Sequence, residues 1–276
     1  MACGPIQLIA ADLDGTLLNS RKVIAPQTLE AIAEVRRRGV HFVIASARPP
    51  RSVRHIYHQL GLDTLQINYN GALIWDEVQR KPFYHRPLSG ALTLEVIRFA
   101  RAIDQRVLVT CEILDRWHTD RVDNTFTTET GRLFKPDVIA PAESFCSQEV
   151  TKLLLLGPRS VILPLEKRVE AEFAGRIAMV RTDDELLQIT DKQVSKAVAV
   201  KLIANHYGVS LANTLALGDG ENDIEMLQEC GVGVAVRNAA PRLKAVADWV
   251  APSKYSHGVL AALRKYVLCA PAGATV

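Results

Sequence analysis

Apolar positions along this chain recur with two different periods. The run 6–11 is short, apolar and followed at once by acids and glycine, which is the pattern of a buried strand. Over 27–38 the apolar side chains Leu29, Ile32 and Val35 return at helical spacing. Pro26 suits the opening turn of that helix, Gly39 its end, and Arg36, Arg37 and Arg38 the negative end of its dipole. A β-branched run at 40–45 follows, so the opening segment reads strand, helix, strand. A crossover of that length predicts parallel pairing, because antiparallel neighbours need only a tight turn.

The same grammar returns late in the chain, with a helix over 196–207 and strands at 214–217, 232–236 and 249–251. Between the two blocks, strand-like runs at 106–110 and 152–156 alternate with helical patterns at 91–102 and 164–173. We expect an α/β core made of 1–82 and 191–276, interrupted by an inserted α+β domain over 83–190. Two independent tandem domains are the alternative. The tail 270–276 is expected to be disordered.

Composition narrows the function classes. At 276 residues and 48% apolar, the chain is long enough for a sizeable core plus a second domain. Its net charge of +3 comes from interspersed bases and acids, which argues against a nucleic-acid surface. No stretch approaches the ~20 apolar residues of a membrane span, and the first residues lack the basic-then-apolar order of a secretory signal. Cys3, Cys111, Cys146, Cys230 and Cys269 contain no Cys-x-x-Cys pair. Reduced thiols in a cytoplasmic protein are therefore expected. Nothing in the pattern speaks to oligomeric state.

The candidate chemistry lies at strand ends. Asp12 and Asp14 follow the first apolar run two residues apart, a spacing that on a strand projects both carboxylates to one side. Ser46 follows the second strand, and Asp219, with Asn222 and Asp223 close behind, follows a third. In open parallel sheets ligands collect outside these ends. Each residue also has a plainer reading: a helix N-cap for Ser46, helix-capping acids for Asp219 and Asp223, and a solvated side chain for Lys196, which follows the N-cap candidate Ser195. Gly218-x-Gly220 resembles a dinucleotide fingerprint, but Asp223 stands at its third glycine. Clustered acids suit a hard cation such as Mg²⁺ better.

Taken together, Asp12-Leu-Asp-Gly-Thr-Leu-Leu18, Ser46-Ala-Arg48, Lys196 and Gly218-Asp-Gly-Glu-Asn-Asp-Ile-Glu-Met226 resemble the four ordered motifs of the haloacid dehalogenase superfamily. The similarity is greatest to its Cof-type phosphatases, and Asn70-Gly71 and the segment 231–239 also resemble that group. Two departures are local: Ala47 and Ala197 stand where the family usually has glycine. A third is the segment 253–259, which lacks the family's late threonine. The resemblance implies a doubly wound, Rossmann-like parallel core with an α+β cap, and a phosphohydrolase acting on a small phosphorylated metabolite such as a sugar phosphate or phosphorylated cofactor. Asp12 is then the nucleophile that becomes an aspartyl-phosphate, and Asp14 the acid and base. Mg²⁺ is held by Asp12, the Asp14 carbonyl and Asp219, with Asp223 supporting it. Ser46, Lys196, Asn70 and Gly71 are implied to grip phosphate, while Asn222 and Arg48 support them. A phosphomutase of the same superfamily and a non-catalytic phosphate-binding regulator are the rival readings. The string 115–119 reads as a hairpin strand, with a ligand contact as its alternative.

Overall fold

The computed structural model describes residues 5–123, 125 and 129–269. Cys3 and the tail 270–276 lie outside the described residues. The strands are β1 Leu8–Asp12, β2 His41–Ala45, β3 Gln66–Asn68, β4 Leu73–Asp76, β5 Lys81–His85, β6 Leu108–Ile113, β7 Arg116–Thr119, β8 Val138–Ile139, β9 Lys152–Leu156, β10 Ile177–Asp183, β11 Leu186–Asp191, β12 Thr214–Gly218, β13 Val232–Ala235 and β14 Trp249–Val250. They build an eight-stranded sheet, in the order β14, β13, β12, β1, β2, β3, β4, β5, and a six-stranded one, in the order β10, β11, β9, β6, β7, β8. The chain divides into two compact units. One comprises the described residues of Met1–Ala47, Val53–Phe83 and Ser195–Val276; the other comprises those of Arg48–Ser52 and Tyr84–Val194.

The first unit is an α/β layer structure whose sheet is parallel from β14 through β3. Every residue of β1 and β12 is buried, which is why their sequences are continuous apolar runs. The helix Pro26–Arg37 is the crossover from β1 to β2 and buries Ala31, Ile32 and Val35. Ala11 pairs with Leu217 and Asp12 with Ala45, so the carboxyl ends of β12, β1 and β2 stand side by side. The residues that leave those ends are Asp219, Leu13 and Ser46.

The second unit is α+β. Its sheet is antiparallel except where β7 meets β8, and the string 115–119 contains strand β7. Period two separates its faces. Val109, Cys111 and Ile113 of β6 and Leu153 and Leu155 of β9 enter a core with the helices Gly90–Ile103 and Arg159–Glu172. Leu108, Leu154 and Leu156 form a smaller cluster on the opposite face. The helix expected at 164–173 starts earlier, at Arg159, and contains Pro164. Pro158, already extended, precedes its first turn, and Pro164, past that turn, has no amide hydrogen to give the helix. Among the described residues no helix is long and apolar enough to cross a membrane.

The alternation makes a stability prediction. Leu155→Ala opens a cavity among fully buried neighbours and is expected to cost about 2–5 kcal/mol, whereas Val198→Ala, at a site 44% exposed, is expected to stay within about 0.5 kcal/mol. Urea denaturation of the two variants measures both.

Candidate active site

Asp12 is the last residue of β1 and is 6% exposed. Lys196 opens the helix Lys196–His206 after its N-cap Ser195, whose hydroxyl accepts from the Ala197 amide at 3.1 Å and donates to Glu225 at 2.6 Å. The Lys196 ammonium donates to Asp12 Oδ1 at 2.6 Å and to Asp223 Oδ1 at 2.7 Å, and its side chain is fully buried. The other oxygen of Asp223 accepts from the amides of Asp219 and Gly220, each at 3.0 Å. Asp219 in turn accepts from the Thr16 hydroxyl at 3.1 Å. Carboxylate oxygens of Asp12, Asp219 and Asp223 all lie within 4.8 Å of one another. Gly15, at φ +86°, passes so close to Asp219 that any Cβ there would collide with its carboxylate.

The two acids of the first motif separate. The strand ends at Asp12, so the expected period-two projection does not continue, and Asp14 is partly exposed and pairs with the Lys22 ammonium at 2.8 Å. Ser46 is buried, and the next helix, Pro50–Gln59, starts too late for Ser46 to cap it. Its carbonyl instead accepts from the Asn70 amide at 3.0 Å. Tyr69, Asn70 and Gly71 have φ of +51°, +57° and +104°, and two of them are not glycine. Such a run costs of order 1–3 kcal/mol per strained residue and persists only where surroundings impose it. Here Gly71 lies directly against the Ser195 carbonyl, with no room for a Cβ. Asn222 does not reach the lysine, which Asp223 holds; it donates to Asn70 Oδ1 at 3.0 Å. Arg48 groups with the second unit. Sequence reasoning passed over Lys22, Thr16 and Asn238, the last of which donates to the Gly15 carbonyl at 2.8 Å. Thr16 and Asn238 lie in segments that carry the family resemblance, while Lys22 carried no signal.

Three carboxylates face one ammonium here. Burial pushes Asp12 well above the ordinary carboxylate range, with Lys196 pulling against it and Asp223 and Asp219 adding to it. Asp219 is pushed up to about 6, first by burial and then by Asp223. Burial works against the Lys196 charge, but Asp12 and Asp223 outweigh it and raise its pKa. An all-oxygen donor set with surplus negative charge suits a hard divalent cation, which would relieve the repulsion. In the metal-free protein the Asp219 carboxylate thus disfavours folding. Its folded pKa lies above its unfolded one, so the penalty is complete above about pH 6 and disappears as pH falls through the unfolded value near 4. Asp219→Asn is expected to stabilise the metal-free protein by about 1 kcal/mol at pH 7.5, discounted for partial exposure. The gain should shrink toward pH 4; chemical denaturation at several pH values measures it.

Comparison with known proteins gives the family and the fold. The model of the haloacid dehalogenase-like hydrolase family matches residues 9–263. The 5-amino-6-(5-phospho-D-ribitylamino)uracil phosphatase YitU of Bacillus subtilis is 27% identical over 268 residues, covering 94% of this chain and 97% of its own. The crystal structure of TM0651 from Thermotoga maritima superposes with a TM-score of 0.84 at 23% identity, covering 94% of this chain and 97% of that one. The subclass IIB sugar phosphatase BT4131 superposes with a TM-score of 0.76 at 22% identity, covering 94% and 98%. At these identities the two structures show the fold alone. With a family match across nearly its whole length and phosphatases among its relatives, the chain belongs to the haloacid dehalogenase-like hydrolases and is a phosphatase.

Proposed function

We propose that this phosphatase is a Mg²⁺-dependent hydrolase of small phosphorylated metabolites that works through an aspartyl-phosphate on Asp12. The observation that carries this reading is the buried Lys196 ammonium bridging Asp12 and Asp223, with Asp219 beside them. Asp12, Asp219 and the Asp14 carbonyl hold Mg²⁺, with Asp223 supporting them. The ion supplies neutralisation of phosphoryl charge and a fixed orientation for the transferring group. The Asp12 carboxylate attacks phosphorus as the bond to the leaving oxygen breaks, and Asp14 gives that oxygen a proton. Asp14 then takes a proton from a water that attacks the phosphorus of the aspartyl-phosphate. The bond to Asp12 breaks, and inorganic phosphate leaves.

Lys196 has two tasks in this cycle. It fixes the Asp12 carboxylate in place, and it offers its remaining donor capacity to a phosphoryl oxygen. Ser46, Asn70 and Gly71 complete the grip on phosphate, with Asn222 orienting Asn70 and Arg48 in support. The segment 83–190 serves as a cap that selects the substrate, while 1–82 and 191–276 carry the chemistry. The names of the relatives, a phosphoribitylamino-uracil phosphatase and a sugar phosphatase, support a small phosphorylated metabolite as substrate. Scattered cysteines and the balanced charge support a cytoplasmic setting.

Two outcomes are expected. Hydrolysis of an aryl phosphate is abolished by excess chelator and restored by Mg²⁺; full activity in chelator would sink the metal assignment. Asp12→Asn is expected to lose turnover of every ester and form no acyl-phosphate, whereas Asp14→Asn loses roughly 100- to 10,000-fold on alkyl esters and less on aryl ones, whose leaving groups need little protonation. Single-turnover rates with both ester classes measure this, and a hydroxylamine-sensitive phosphoenzyme in Asp12→Asn would place the nucleophile elsewhere.

A further inference from the structure

Beyond Asp14 the chain doubles back in a small turn. Leu18 and Ile24, both buried, anchor its two ends, and residues 20–23 between them are exposed. Asn19 closes the turn. Its backbone amide donates to the Val23 carbonyl at 3.2 Å, and its carbonyl accepts from the Lys22 amide at 2.9 Å. Its side-chain oxygen accepts from the amides of Arg21 and Val23, at 2.9 and 3.1 Å. On the near side, the Gly15 amide donates to the Leu18 carbonyl at 3.2 Å and the Leu18 amide to the Leu13 carbonyl at 2.8 Å. The path from the end of β1 to Lys22 is therefore braced along its length.

Lys22 lies in the left-handed region of this turn, at φ +58°. Glycine and asparagine adopt that conformation readily, whereas a long side chain there costs of order 1 kcal/mol. The turn itself does not call for lysine. What lysine adds is an ammonium on a flexible four-carbon stem, and that ammonium donates to Asp14 Oδ1 at 2.8 Å. As a source of stability the pair counts for little. Its side chains are 45% and 37% exposed, and such pairs contribute about 0–1 kcal/mol, no more than the strain of the turn. The effect of the contact is geometric instead. Asp14 lies past the last residue of β1 and partly open to solvent, so side-chain contacts rather than the sheet set the direction of its carboxylate. A misplacement of 1 Å in a group that moves a proton costs up to about 100-fold in rate. An ion pair with an ammonium is also the arrangement of a carboxylate that has given its proton away, which is the condition of Asp14 once the leaving group has gone.

We propose that Lys22 is a positioning residue for the second half of the reaction: its ammonium holds the Asp14 carboxylate where that group takes a proton from the water attacking the aspartyl-phosphate. This rests on the reading of Asp12 and Asp14 given above. In that step the water oxygen bonds to phosphorus, and the bond from phosphorus to the Asp12 oxygen breaks with its electron pair returning to the Asp12 carboxylate. The proton of the water passes to Asp14. Lys22 keeps all of its own.

The test uses 2,4-dinitrophenyl phosphate, whose leaving group needs no proton, so that phosphoryl transfer to Asp12 is fast and decay of the phosphoenzyme sets kcat. Lys22→Asn is expected to lower kcat and KM together by about 10-fold, to leave kcat/KM within about 2-fold, and to lengthen the life of the acid-trapped phosphoenzyme by the same factor as kcat. Because asparagine accepts the left-handed turn, this variant is also expected to melt no lower than the native protein. Lys22→Arg, which keeps a cation on a long stem, is expected to hold kcat within about 3-fold of native. Asp14→Asn sets the scale, with a longer-lived phosphoenzyme than either lysine variant. A fall in kcat/KM with native phosphoenzyme decay would mean that Lys22 grips the substrate or holds the fold, and would overturn the proposal. So would native kcat and native decay in Lys22→Asn. If the native protein forms no phosphoenzyme, or if Asp14→Asn does not slow its decay, the reading of Asp12 and Asp14 falls and the role of Lys22 falls with it.

Discussion

The site depends on one buried ammonium. Lys196 sits at a helix N-terminus, where the backbone dipole disfavours a cation by roughly 0.3–1 kcal/mol, and its side chain is fully buried. Nothing local keeps it charged. Asp12 and Asp223 do, from the end of β1 and from the turn after β12, and through them the lysine ties together parts of the chain far apart in sequence. Truncating such a lysine leaves two buried carboxylates facing each other, the costly way to break a buried pair. The close passage of Gly71 against the Ser195 carbonyl serves the same end, since it sets where the helix, and hence Lys196, begins.

A second consequence follows from counting charges. One lysine does not balance three carboxylates, and burial raises both Asp12 and Asp219 above their ordinary range. A protein selected for stability alone would have an amide at one of these positions. On the proposed function the retained acid is there for a cation, and the instability of the metal-free site would then be the counterpart of its chemistry.

Asp12, Ser46 and Asp219 were legible because a continuous apolar run that stops abruptly at a polar residue marks the end of a buried parallel strand. Lys196 was legible only as half of a choice: a lysine after a serine N-cap reads equally well as solvated, and the two acids that bury it are distant in sequence. Asp223 was read as a support for the metal, and it also grips the lysine and two backbone amides at once. Lys22, Thr16 and Asn238 were missed because each acts through a loop whose path no periodicity encodes. The α/β class was visible, and so was the strand at 152–156. Its unbroken leucines, however, concealed that alternate ones belong to different clusters.

That concealed alternation separates the two faces of the sheet in the second unit. Leu153 and Leu155 fill a close-packed core with two helices, where a change of even one methylene is felt. Leu154 and Leu156, one position along the same strand, line an open cavity that has room to accept other side chains. Because successive side chains on a strand point to opposite faces, a substitution at Leu154 leaves the packing of Leu155 largely untouched. A sheet with helices on one face only therefore has a second face whose residues can be exchanged at little cost to stability. The clustered carboxylates have no such freedom: Asp12 and Asp223 share one lysine and Asp219 lies within a few ångströms of both, so none can change without the others registering it.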